Sequence, residues 1–94
     1  MAEIVWTEPA LADLDAVADY IALDNPLVAR LLVQNVFAHL DQLEAHPESG
    51  SFPQELSSKR YRQIVEPPCC VIYRHAWNEG IVYVLHVMRR EQKL

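Results

Sequence analysis

The chain is poor in the residues that much site chemistry requires. It has only two glycines, Gly50 and Gly80, too few for a glycine-rich phosphate loop. Its only cysteines are neighbours, Cys69 and Cys70. Adjacent strand residues point to opposite faces, which disfavours a disulfide between them. Both are expected to be small buried hydrophobes in a reducing compartment. No apolar run approaches the ~20 residues of a membrane span. The opening MAEIVW lacks the basic start and long apolar stretch of a secretory signal. His39 and His46 lie seven apart without cysteine or carboxylate neighbours in ligand order, so no metal site or cofactor is expected. No Ser/His/Asp arrangement emerges either.

Positive charge is scarce in the first part of the chain. Residues 1–58 hold ten acids and a single base, Arg30, a net charge of −9. Residues 59–94 hold seven bases against three acids, Glu66, Glu79 and Glu91, a net charge of +4. The whole chain, at −5, is a poor general binder of nucleic acid. Its basic end can still meet one acidic partner.

With 94 residues, of which 51% are apolar, the chain makes one folded domain, residues 1–94. Ile4, Val5 and Trp6 mark a short strand over Glu3–Trp6. Thr7-Glu8-Pro9 starts a helix that runs to about Leu23, with Thr7 as cap and Leu11, Leu14, Ala18 and Ile21 on one face. Asn25-Pro26 opens a second helix that reaches about Ala45. Its apolar set is wide, from Leu27 and Leu31 through Leu32, Val36, Phe37, Leu40 and Leu43. That implies burial on more than one side, with some surplus free to face a partner. The short connection makes the pair a helical hairpin. His46–Ser51 reads as a loop. Irregular backbone is expected over Phe52–Ser58, with Phe52 and Leu56 packed down.

Three β-type runs follow: Arg60–Glu66, Cys69–Ala76 and Ile81–Met88. Pro67-Pro68 separates the first two, and Asn78-Glu79-Gly80 is a turn signal joining the last two as a hairpin. Alternation along the last run puts Ile81, Tyr83, Leu85 and Val87 on one face and Val82, Val84, His86 and Met88 on the other. Trp6 and Trp77 are expected in core and loop packing. The order is β-α-α-β-β-β. It predicts an α+β domain, an N-terminal helical hairpin on a mostly antiparallel sheet.

The ordered set of segments TEPALADLDAVADYIA, DNP, a Pro- and Gly-containing loop, YRQIVEPPCCVIYR and IVYVLHVMRR resembles the ParE toxins of the RelE/ParE superfamily. The resemblance covers nearly the whole chain and lies in the order of segments, since no single motif is specific. It implies a cytoplasmic bacterial protein, the growth-inhibiting and plasmid-stabilising half of a type II toxin–antitoxin system. Such a protein inhibits DNA gyrase without being an enzyme. It is silenced by a ParD-like antitoxin in a 2:2 or larger assembly, and meets operator DNA only through that antitoxin. The positions carried over are Arg62, Tyr73, Arg74, His86, Arg89 and Arg90, as residues that bind target or antitoxin; none is assigned a catalytic role. The alternatives are a RelE-type ribosome-dependent mRNA endonuclease and an inactive homologue that acts only in complex formation and autoregulation. A nuclease would draw on cations at Arg62, Arg74 and Arg89 and on Tyr73 or His86 for proton transfer. Against that, the tail Glu91-Gln92-Lys93-Leu94 has no Tyr or His, and a lysine-rich run is missing.

Overall fold

The computed structural model describes residues 1–54 and 59–89. The sequence supplies clear start signals for both helices. In α1 (Glu8–Ala22) the cap Thr7 takes extended backbone, and its hydroxyl accepts from the Ala10 amide. In α2 (Pro26–Asp41) the Asn25 carboxamide accepts from Val28 N, and Pro26 fills the first turn where no amide partner is needed. A 3₁₀ turn over Gln42–Glu44 closes α2, so the regular helix stops four residues short of the predicted Ala45.

The strands are β1 (Glu3–Trp6), β2 (Tyr61–Glu66), β3 (Cys69–Ala76) and β4 (Ile81–Arg89). They form one sheet in the order β1-β4-β3-β2. β2, β3 and β4 are joined by two hairpins and run antiparallel. Between β1 and β4 the chain runs through the helical hairpin, β2 and β3, and β1 lies parallel to β4, as a connection of this length permits. Pro67-Pro68 is a two-residue turn with Glu66 opposite Cys69. Trp77–Gly80 turns the chain into β4, with Gly80 at φ +70°, where a side chain would be strained. The fold is therefore the α+β architecture that the order of segments predicts.

Both helices cover one face of the sheet. Leu14 and Val17 of α1 and Leu32, Val36 and Leu40 of α2 meet Ile64, Val71, Tyr73, Val82, Val84 and Val87 in the core. Full burial of such a side chain contributes roughly 1.5–3 kcal/mol. One correction concerns β4. Tyr73 lies opposite Val84 but Ile72 lies opposite His86, so Leu85 is a surplus residue at a β-bulge. The bulge shifts the alternation by one. Val82 and Val84 face the core before it and Val87 after it, while His86 is more than half exposed. The predicted grouping of Val82 and Val84 with His86 and Met88 fails at that point.

The apolar surplus of α2 also has a definite place. Leu27, Val28 and Leu31 of α2 remain exposed, as do Tyr20 and Leu23 at the end of α1. Two further expectations are corrected. Trp77 is not packed into the loop but stands 78% exposed. Phe52 is 40% exposed, because its ring serves as a platform under the Arg62 guanidinium and is not packed into the core. Leu56 lies outside the described residues. Of the two cysteines, Cys69 is buried and Cys70 half-buried, and they form no disulfide with each other.

β1 pairs with β4 only as far as Val84, so β4 has no described strand neighbour on that side beyond it. The start of α1 fills the gap. The Thr7 hydroxyl donates to the Val84 carbonyl at 2.7 Å, and the Asp13 carboxylate accepts from the Val87 amide at 3.2 Å. Asp13→Ala is expected to leave that amide without a partner and lower the unfolding free energy by about 1–3 kcal/mol. Asp13→Asn keeps an acceptor and should recover most of that loss. Urea denaturation of the two variants beside the parent measures both values.

Candidate functional site

The β2–β3 hairpin fixes which basic residues meet. Tyr61 lies opposite Arg74, and Arg62 opposite Tyr73. The hairpin's open end, the turn after β3 and the loop after α2 enclose a cleft of about 430 Å³. Among the described residues its walls carry Lys59, Arg60, Arg62 and Arg74 against one acid, Glu48, with Tyr61, His75 and Trp77 adding ring surfaces. The described lining thus carries four bases against one acid in a chain whose net charge is −5.

The loop that forms one wall is held by backbone and side-chain bonds. The Gly50 amide donates to the Tyr73 hydroxyl at 3.0 Å. Ser51 and Gln63 exchange both backbone hydrogen bonds, at 3.0 and 2.7 Å. Nη1 of Arg62 donates to the carbonyls of Gly50 at 2.9 Å and Glu48 at 3.1 Å, while its plane stacks 4.3 Å from the centroid of Phe52. Gly50 is required by space. A Cβ there would lie 2.5 Å from the Tyr73 hydroxyl and 2.6 Å from the Gln63 carbonyl.

Arg74 extends on the other face of the sheet, 4.9 Å from the centroid of Tyr83 directly across the ladder. No described carboxylate lies within salt-bridge distance of Arg62 or Arg74. His75 is the imidazole of the cleft; its Nδ1 lies 3.2 Å from the Glu48 carboxylate. Tyr73 is fully buried, and burial pushes its hydroxyl above the usual 10.0, although the Gly50 amide and the charge of Arg62 pull the other way. A phenol so placed is a poor proton donor near neutral pH. The hydrogen bond to Glu79 raises Tyr83.

The candidate residues thus divide. Arg62 and Arg74 both line the cleft, from opposite faces of the sheet, while Tyr73 is buried and supports the loop through Gly50. Arg89 lies opposite Cys69 at the far end of β3, stacked 4.5 Å from the centroid of Tyr20. Five residues of strand, roughly 16 Å, separate that register from Arg74. His86 shares Asp13 with the Val87 amide, its Nδ1 3.1 Å from the carboxylate. Arg90 lies outside the described residues. His75, Glu48 and Trp77 are site residues that the sequence reading passed over. Taking Pro67-Pro68 as a two-residue turn would have paired Arg60 with His75 and placed Trp77 beside Lys59.

A family model described as "ParE toxin of type II toxin-antitoxin system, parDE" matches residues 4–94. The chain belongs to this family of type II toxins. It is 36% identical over 87 residues to Toxin RelE2 of Caulobacter vibrioides, covering 93% of each chain. It is 32% identical over 83 residues to the putative toxin Y4kP of Sinorhizobium fredii, covering 88% of this chain and 85% of the other. Among solved structures it resembles a chain of the chromosomal ParDE toxin–antitoxin system of P. aeruginosa, with a TM-score of 0.76, 26% identity and coverage of 97% and 98%. It also shares its fold with a chain of the RelBE2 toxin–antitoxin complex of Mycobacterium tuberculosis, at a TM-score of 0.63, 19% identity and coverage of 95% and 98%.

Two variants test the wall of the cleft. Gly50→Ala forces the loop off Tyr73 and should cost about 1–3 kcal/mol of stability. Tyr73→Phe leaves the Gly50 amide unpaired and should cost a similar amount. The pH dependence carries a sign. A phenol raised by folding contributes stability that is fully present below its unfolded value and is lost as pH rises through about 10 toward the folded value. Denaturation at pH 8 and at pH 11 should show that loss in the parent and a smaller one in Tyr73→Phe.

Proposed function

We propose that this protein arrests bacterial growth by binding DNA gyrase, without catalysing a reaction, and that a ParD-like antitoxin silences it. The observation that carries the reading is the match to the ParE family over residues 4–94. The chemistry of the cleft supports it. The Tyr73 phenol is buried, hydrogen-bonded and raised, so it is a weak acid for cleaving a phosphodiester. His86 lies outside the cleft and is tied to Asp13.

One arrangement favours the ribonuclease reading. His75 and Glu48 lie 3.2 Å apart in a cleft that Arg62 and Arg74 also line, which are a proton-transfer pair and cations of the kind that 2′-OH attack uses. Inducing the chain alone in a bacterial host separates the two. Gyrase inhibition predicts a DNA-damage response before translation falls, and His75→Gln should then leave toxicity within a few-fold. A translation block without DNA damage that disappears in His75→Gln would establish the nuclease.

Exposed apolar surface on the helices supports a landing place for the antitoxin. Tyr20, Leu23, Leu27, Val28 and Leu31 form exposed apolar surface on the helical hairpin, bordered by Asp19 and Asp24. An amphipathic antitoxin segment with basic flanks fits there, and its acidic residues fit Arg62, Arg74 and Arg89. We place the complex at 2:2, through dimerisation of the antitoxin. Leu27→Glu with Leu31→Glu should weaken the complex at least about tenfold with little change in melting temperature, since both side chains are already exposed. Titration calorimetry measures the affinity, and size exclusion with light scattering the stoichiometry. Elution of the two parent chains apart would refute the pairing.

A further inference from the structure

The turn between β3 and β4 puts an indole where turns are usually polar. Trp77 is 78% exposed, and no described ring or cation stacks on it. The turn itself is closed by its own bonds. The Glu79 amide donates to the Ala76 carbonyl at 3.0 Å, and the Gly80 amide to the Trp77 carbonyl at 3.3 Å. Gly80 supplies the positive φ, and the Tyr83 hydroxyl donates to the Glu79 carboxylate at 2.9 Å. We propose that Trp77 is the anchor of a protein–protein contact, a projecting indole that enters an apolar pocket edged with carboxylates on the target protein. The inference rests on the gyrase reading for the identity of that target and adds the surface that holds it.

Tryptophan and arginine are the residues that most often dominate protein interfaces, as a desolvated centre within a polar border. An aromatic side chain buries about 150–250 Å² when a partner covers it. Trp77 has the matching border on one side. Lys59, Arg60 and Arg74 line the cleft beside it, and Glu48 is the one described acid there. Arg74 is stacked 4.9 Å from the centroid of Tyr83, which holds its plane. An indole on a turn fixed by hydrogen bonds, next to a guanidinium fixed by stacking, has little freedom left to lose on binding. The sign of the border selects carboxylates on the partner.

Shape selects a protein over smaller ligands. A ring so exposed on a hairpin turn is a convex feature, and it is covered only by a partner that brings its own concavity. A small molecule needs the reverse arrangement, a hollow in this chain that surrounds it. The exposed leucines Leu23, Leu27 and Leu31 lie on other elements, so a contact made by the turn can be removed by mutation without touching the helices.

The test is biolayer interferometry of the immobilised full chain with purified DNA gyrase, first without DNA and then with it. The parent should retain gyrase in both conditions. Trp77→Ala should raise the dissociation rate at least about tenfold, the scale of one lost interface anchor, with the melting temperature unchanged. Trp77→Phe should recover part of that loss. Lys59→Ala should act mainly on the association rate, by a few-fold at low salt and less at high salt, as a border charge does. Arg30→Ala, exposed on α2, should change neither rate. Inhibition of supercoiling should fall in the same order across the variants. A parent that gyrase does not retain refutes the gyrase reading and this inference with it. Parent and Trp77→Ala retained alike refute the inference alone. So does retention that needs DNA and is lost in Trp77→Ala, because it assigns the indole to nucleic acid.

Discussion

The contact between the Gly50 amide and the Tyr73 hydroxyl is the point where loop and sheet become one surface. Tyr73 brings its ring into the core from the middle of β3, beside Val84 across the ladder. Its hydroxyl reaches the end of the core and there meets a backbone amide. That bond places the carbonyls of Glu48 and Gly50 where Arg62 donates to them, which fixes the guanidinium over Phe52. The same loop delivers the Glu48 carboxylate to His75. The geometry of the cleft thus follows from a core residue with a polar tip, and only glycine leaves space for it.

The two halves of the chain divide the work by charge and by shape. The helical half supplies about half of the buried core, and most of its described acids point to water. The hairpin half supplies the ladder on which cations can be held in register. Arginine dominates there, and three of these arginines lie over aromatic rings: Arg62 over Phe52, Arg74 over Tyr83 and Arg89 over Tyr20. Each contact contributes on the order of 0.5–1 kcal/mol at exposed positions. Their larger effect is orientation, because a stacked guanidinium presents its donor edge in a fixed plane. A lysine in the same place would keep the charge and lose the plane.

Much of this was legible in the sequence, and the failures have physical causes. Caps at Thr7 and Asn25, the helical spacing of Leu32, Val36 and Leu40, and the turn at Gly80 fix the elements because each signal is local. The bulge at Leu85 was not legible. Val82, Val84 and Val87 break strict alternation, yet every residue from Ile81 to Leu85 is apolar enough for either face, and only pairing with β3 decides which residue is surplus. The cleft was half legible. Arg62 and Arg74 stood out as bases on strands, while His75 and Trp77 look ordinary until register sets them beside Lys59 and Arg60. Glu48 enters through a loop whose path depends on Tyr73, some twenty residues away, and composition carries no trace of that.

The short β1 leaves a sheet with half of one margin unclaimed by any described strand, and the Asp13 carboxylate occupies that gap with a charge. A strand's bare amides invite whatever extended chain comes near, including another molecule of the same protein. Here a foreign strand that approached β4 beyond Val84 would have to displace a carboxylate from a helix that is itself anchored in the core. Insulation on this side leaves β2, bridged by Ser51 only at Gln63, as the outermost strand of the opposite margin. For a small domain with so much apolar surface on its helices, closing one margin with a fixed negative charge restricts self-association to fewer geometries and helps the free chain stay dispersed.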